Sequence, residues 1–477
     1  MSSVVTPTLP ANDFPDWLSP ILVKELRQGL KSRAFVSIAT LLQGGMAFMF
    51  VLAALSGMKP GSGAVDALNG FFWFMLWIPL VIVMPSRALQ AISDETKLQT
   101  LELVQMTRMQ SLRIVFGKWI ALSAQSLLLV LAILPYFVLR YFFGGVDLVA
   151  EFTSLLTLIG LSLLLTAAAL AGSTLKTGLR VVAVVVVGGF ILVSGQAYAF
   201  VSFGGRSFFG FSAPGDALLE GLCYALILAA YVLFFLLQAA GHLSTQAESY
   251  SPKKRVLGLV SVLVVFAAWI VHDQLGIELR LLALMTPISL WSMVEALVET
   301  RDADWLYDRP QPFWNRLFNP GWASGFYYSL VLFAIIFAGT HWGNTFSKPE
   351  HFEMLNKSFI IFVGAVLTPA LILIRLPRIR QRLLLYWLIH LFFTLAFVGG
   401  LMVALKPTAR ESDVLALLAP FPPSTALACL HQNMDIAFIR SVFPTTGFIT
   451  ALILCAFVFL TFKRSPALQP AAPAEPG

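Results

Sequence analysis

The chain has 477 residues, of which 58% are apolar and only 12% charged, with 40 Phe, 11 Trp and a net charge of +7. An ordinary globular protein carries roughly 25% charged residues, so there is too little charge here to cover a water-facing surface, and a mean hydropathy of +0.81 excludes a soluble enzyme, a disordered chain and a disulfide scaffold. What remains is an all-α fold, a polytopic integral membrane protein.

Residues 1–16 form a polar tail with no Lys or Arg and no continuous apolar core, unlike a cleavable signal peptide. From Trp17 to Ala34 the sequence reads as an amphipathic helix: Ser19 can cap it, Pro20 suits its first turn, and Leu18, Leu22, Leu26 and Leu30 recur every fourth residue opposite Lys24, Arg27, Gln28 and Lys31. Such a helix lies on the inner leaflet; a plain lead-in to the first span has the same periodicity. Apolar stretches of the roughly 20 residues that a crossing needs fall near 35–57, 68–86, 117–140, 150–172, 180–203 and 217–240. A second set falls near 256–274, 279–299, 322–343, 358–376, 383–405 and 441–462. These make about 12 transmembrane helices. A shorter piece, 414–430, carries Pro420, Pro422 and Pro423 and reads as a re-entrant or outer-surface element. It shares an L-A-L-x-x-P core with 281–297, so the 279–299 stretch either crosses or dips.

Basic residues orient the chain. With a cytoplasmic N-terminus the inner segments hold 23 of the 32 Lys and Arg and the outer segments eight, as the positive-inside rule requires. Both termini are then cytoplasmic, in a multi-pass membrane protein. The basic excess is a topology signal and calls for no nucleic-acid partner. Cys223, Cys429 and Cys455 sit in apolar surroundings with no CxxC spacing, so no metal is implied.

The connection between spans 2 and 3, Pro85 to Lys118, is a cytoplasmic helical hairpin larger than a connector needs. Ser93, Asp94 and Glu95 place acids where they would complement the start of a helix, Leu98, Leu101 and Val104 supply an apolar stripe beside Glu102, and Thr107 to Ser111 reads as a bend. A solvated loop is the bland alternative.

The run Glu95, Thr100, Leu101, Glu102, Leu103, Thr107, Ile114, Gly117 and Lys118 resembles the E…GTLELL…TP…I…GK stretch of bacterial type-2 ATP-binding-cassette (ABC) exporter permeases, and SPILVKELRQGLKSR at 19–33 resembles their N-terminal interfacial helix. The resemblance covers residues 17–145 and extends by span count to about 255. It implies a six-span permease domain over 17–255 whose cytoplasmic helices contact a separate ATPase subunit, with ATP and Mg bound on that partner and no cofactor on this chain. It also implies pairing with a second copy or a related permease. Lys24, Glu25, Arg27, Glu95, Thr100, Leu101 and Glu102 are the coupling candidates carried over, and Lys118 is read as an inner-leaflet anchor. Gln99 stands where the family has Gly, and Arg108 where it has Pro. Residues 256–464 have no repeat of this pattern and form an additional C-terminal membrane bundle, followed by a Pro/Ala-rich tail at 465–477.

The chain has no G-x-x-x-x-G-K-[ST] loop, so an ATP-driven role needs a second polypeptide and this chain is no enzyme. One alternative is an ion-coupled secondary transporter; the central parts of spans 1–6 hold Gln43, Gln125 and Gln196 but no acid, while Glu295, His272, Asp273 and His390 lie in the second half. Another is a membrane-embedded transferase using the D-x-D of Asp302 and Asp304; a set of His341, His351, Glu350 and Glu353 lacks metal-ligand spacing. On the permease reading, replacing Glu95 and Glu102 together detaches or uncouples the ATPase while membrane insertion is kept. Unchanged transport by that double variant contradicts their assignment.

Overall fold

The computed structural model describes residues 20–55, 63–97, 110–142, 148–174, 217–244, 248–275, 285–299 and 317–343, with the single positions 366, 373, 385, 386 and 389. Among these residues every regular element is a helix. Five helices are long and apolar enough to cross a membrane: Arg33–Leu55, Asn69–Ser93, Ser111–Tyr141, Glu151–Ser173 and Gly221–Leu243. They coincide with five of the expected spans. The spans expected near 180–203, 358–376, 383–405 and 441–462, and the proline-bearing piece at 414–430, lie outside the described residues apart from those single positions. The chain divides into two compact units, Met1–Tyr250 and Ser251–Gly477.

The first unit opens with α1 (Pro20–Leu30), α2 (Arg33–Leu55) and α3 (Gly63–Trp77). A π-helical segment, Ile78–Val83, joins α3 to α4 (Met84–Lys97) without a break. Then follow α5 (Ser111–Phe142), α6 (Leu148–Ser173) and α7 (Ala217–Leu243). Met46, Phe72, Leu76, Leu80, Met84, Leu129 and Ile133 are buried at the centre of the core between them. Because α4 runs unbroken to Lys97, the sequence Ser93-Asp94-Glu95 does not open a new helix as its acids suggested. No proline or glycine interrupts 86–97, and span 2 extends as one rod.

Two departures from regular α-helix are each satisfied by a polar side chain from a neighbour. Pro79 cannot donate a backbone hydrogen bond and sits at the start of the π segment, where the Met84 N–H reaches back to the Pro79 carbonyl. The fully buried Ser162 of α6 donates to the Leu80 carbonyl at 2.8 Å. Inside α5, Pro135 removes a donor and leaves the Leu131 carbonyl without its helical partner, and the Gln43 side-chain amide of α2 donates to the next carbonyl, that of Ala132, at 2.6 Å. Gln43 is thus a helix-to-helix tie. An apolar medium offers such carbonyls no water, so their partners must come from protein.

Polar contacts fix the directions of the spans. At one end Arg140, in the last turn of α5 and 2% exposed, meets Glu151 in the first turn of α6 through a two-pronged pair at 2.8 and 2.5 Å. Its Nε donates to Asn69 of α3 at 2.6 Å, and its guanidinium lies over the Phe72 and Trp73 rings. At the other end Glu248, just beyond α7, accepts from the N–H and hydroxyl of Ser111 at the start of α5. There a carboxylate complements the positive end of the helix dipole. Helices α6 and α7 therefore run the same way. Roughly 27 Å of helix separates Asn69 from Arg87 at about 1.5 Å per residue, close to the roughly 30 Å of a bilayer core.

The second unit is built on α8 (Ser251–Leu275), α9 (Thr286–Val298) and α10 (Trp322–Gly343). Arg255, 1% exposed, is its keystone. One nitrogen donates to the carbonyls of Leu317 and Asn319 and to the Ser324 hydroxyl, at 2.7 to 2.9 Å, and the other to Glu299 and to the Gly321 carbonyl. The turn that presents these carbonyls depends on Gly321, whose φ of 127° suits glycine alone. Two glycines let the helices close on each other. A Cβ on Gly325 would stand 2.0 Å from the Ala296 carbonyl, and one on Gly258 would stand 2.0 Å from Ser292 Oγ. Replacing Gly325 with Ala must move a backbone, and such overpacking costs about 1–3 kcal/mol. The expected result is a lower thermal midpoint for Gly325→Ala in detergent, while Gly44→Ala, which meets nothing within 4 Å, leaves it unchanged. An unaltered midpoint for Gly325→Ala would contradict the close α9–α10 approach.

Candidate functional site

Three of the coupling candidates, Lys24, Glu25 and Arg27, lie on α1 beside the α1–α2 corner. Helix α1 turns Leu22, Glu25, Leu26 and Gly29 inward and leaves Lys24, Arg27, Gln28 and Lys31 exposed, two stripes at i, i+3, i+4 and i+7. Ser32 is the joint between α1 and α2. Its hydroxyl donates to the Gly29 carbonyl at 2.7 Å, closing α1, and accepts from the Phe35 N–H at 3.3 Å, capping α2.

The inward stripe is not wholly apolar. Glu25 accepts from Lys118 of α5 at 2.9 Å, and the lysine side chain is 3% exposed against 20% for the glutamate. Lys118 is therefore a buried partner of α1 and not an anchor reaching for the leaflet. One turn along α1, Gly29 packs so tightly on Gln125 that a Cβ there would fall 2.0 Å from Gln125 Nε2. The same Gln125 accepts from Arg87 of α4 at 2.6 Å, and Arg87 also donates to Ser32 at 3.2 Å and sits over the Phe35 ring. Four helices, α1, α2, α4 and α5, thus meet in one connected polar cluster. Its chemistry is mechanical: charged hydrogen bonds hold side-chain geometry more firmly than neutral ones.

The other candidates are placed as follows. Lys24 and Arg27 are on the exposed stripe of α1. Glu95 lies on α4, with its backbone described and its side chain outside the described residues, and Thr100, Leu101 and Glu102 lie outside them as well. So do Asp302, Asp304, Glu350, His351, Glu353 and His390. Glu295 of α9 is ion-paired with Lys254 of α8. Among the described residues no three His, Cys, Asp or Glu side chains gather as a metal site would need. Beside the cluster's end of α5, the Tyr250 hydroxyl accepts from the Leu112 N–H and donates to Glu248. Burial is the main cause that raises the Tyr250 phenol above its ordinary value, with the Glu248 charge adding to it, so this phenol remains a neutral donor.

Sequence reasoning singled out Glu25 but not its target, and missed Arg87 and Gly29. Gln125 was visible as a lone amide in an apolar run, which is a usable signal for a buried tie; its partners are 38 and 96 positions away in the chain and leave no local pattern. No protein-family model matches the chain, and neither a curated protein nor a solved structure matches it.

The burial of the pair sets its response to substitution. Stranding one buried partner of an ion pair costs about 3–5 kcal/mol, whereas replacing both by apolar groups is close to neutral. Glu25→Leu, which takes the carboxylate from the more buried Lys118, should lower the thermal midpoint more than Lys118→Met, and the double variant should recover most of the loss. Equal, additive losses would show that the two residues do not act as a pair.

Proposed function

We propose that this chain is the membrane permease subunit of an ATP-driven ABC exporter of the type-2 kind, coupled to a separate ATPase subunit through α1 and the region from Glu95 to Lys118. One observation carries the reading. The amphipathic helix α1 is tied to α5 by Glu25–Lys118 and, through Gln125, Arg87 and Ser32, to α4 and α2. A force applied to α1 therefore reaches three spans at once, as a coupling helix requires. The sequence likeness at 19–33 and 95–118 supports an ATPase as the partner, and in this reading ATP and Mg bind to that partner.

In this reading about 12 spans cross a bacterial inner membrane with both termini in the cytoplasm, and α4 extends beyond span 2 as the first arm of the cytoplasmic hairpin. Residues 17–255 form the permease domain, paired with a second copy or a related permease. Residues 256–464 are an added bundle around Arg255. The ion-coupled alternative loses its most plausible described acid, since Glu295 is engaged by Lys254. Extraction of a tagged chain in mild detergent should recover a nucleotide-hydrolysing subunit in stoichiometric amount. Recovery of the chain alone, with transport in liposomes driven by a pH or sodium gradient, would replace this reading with the ion-coupled one.

A further inference from the structure

The rod formed by α3, the π segment and α4 has one soft stretch. In a regular α-helix the Met84 N–H would reach the Leu80 carbonyl, and residue 85 would serve Val81. Here Met84 turns to Pro79 instead, and residue 85 is itself a proline, whose ring would strike the Val81 carbonyl in a regular α-turn. The wider π turn relieves that clash and leaves Leu80 without a backbone donor, so its carbonyl depends on Ser162 of α6. Prolines and π segments are where helices bend, and this stretch has two prolines with a π segment between them.

Helix α5 is weakened at the same depth. Pro135 takes the donor from Leu131, and Gln43 of α2 ties the neighbouring Ala132 carbonyl. Leu80 and Ala132 each stand about 10 Å from the Arg87–Gln125 hydrogen bond, at roughly 1.5 Å per residue. On the far side of this level Arg140 binds Asn69 and Glu151, about 16 Å from Leu80 and about 12 Å from Ala132 on the same rise. The level therefore falls near the middle of a bilayer core of roughly 30 Å. Both soft stretches lie between firm blocks. Towards α1, the pairs Glu25–Lys118 and Arg87–Gln125 join α1, α4 and the foot of α5. Helices α6 and α7, by contrast, carry no proline.

We infer that the first unit bends at this level. The block of α1, α4 and the foot of α5 tilts as one body against the straight helices α6 and α7, while the block around Arg140 keeps its place. Ser162 and Gln43 are the pivots, since each holds a backbone carbonyl of a yielding helix from a neighbour. The device goes beyond the permease reading and does not depend on it: whatever acts on α1, this is where the bundle gives.

The test uses the full chain in lipid nanodiscs, its native cysteines replaced, with spin-label pairs read by double electron–electron resonance. Gln90→Cys with Leu233→Cys reports the α1-side block against α7, and Val51→Cys with Leu222→Cys reports the Arg140 side; all four positions are exposed. A tilt of about 20° swings the end of the roughly 15 Å arm from Leu80 to Gln90 by about 5 Å. The Gln90–Leu233 distribution is therefore expected to be broader than the Val51–Leu222 distribution by about that amount, or to split in two. P85A/P135A, which restores both missing N–H groups, should narrow it to the width of the other pair. The comparison of the two pairs needs no proline variant to fold. Equal widths in the chain with its prolines intact, or a broad Gln90–Leu233 distribution that P85A/P135A leaves unchanged, overturns the inference.

Discussion

A cation in an apolar medium must bring its own counter-charge, and that constraint organises both units. Lys118 meets Glu25, Arg140 meets Glu151, Lys254 meets Glu295 and Arg255 meets Glu299. In three pairs the carboxylate comes from a different helix, and Glu299 lies just past the end of α9. Isolated, any of these charges would be prohibitively costly to bury. Matched across helices, they set which ends lie side by side and in which direction each span runs. The apolar stretches between them are left to packing, which by itself is tolerant of sliding and rotation.

The same economy explains the neutral polar residues. Ser162 and Ser32 satisfy backbone groups freed by a π segment and a chain reversal, and Gln43 bonds a carbonyl beside the Pro135 irregularity. In water such groups would be solvated and the irregularities could drift. Here they are pinned, so the π segment in span 2 sets the rotation of everything beyond it, including the aim of Arg87 at Gln125. The α1–α2 corner inherits its geometry from a serine some distance up the bundle.

How much of this was legible in the sequence depended on range. Leucines at fourfold spacing and the run of Lys24, Arg27 and Lys31 located α1, and hydropathy located the five long apolar helices of the described residues, because both signals are local. Glu25 lies between Leu22 and Gln28 on the helical wheel, at the border of the two faces, so periodicity placed it near the buried stripe but could not say that a lysine waited there. Lys118 looked like a snorkelling anchor because its partner is 93 residues away. Ser93-Asp94-Glu95 misled because acids favour a helix start but do not compel one, and nothing upstream stopped α4. The glycines told least: Gly29 and Gly325 carry close approaches and Gly44 does not, and nothing in the neighbouring sequence marks which is which.

The central claim is that α1 belongs to the membrane bundle and moves with it. The most direct measurement is disulfide formation in native membranes between Gly29→Cys and Gln125→Cys, in a chain whose three native cysteines are replaced. The account predicts rapid, near-complete crosslinking under mild oxidation, abolished when Glu25 and Lys118 are both made positive. A helix α1 that lies free on the leaflet would give no crosslink at those positions, and the claim would fail.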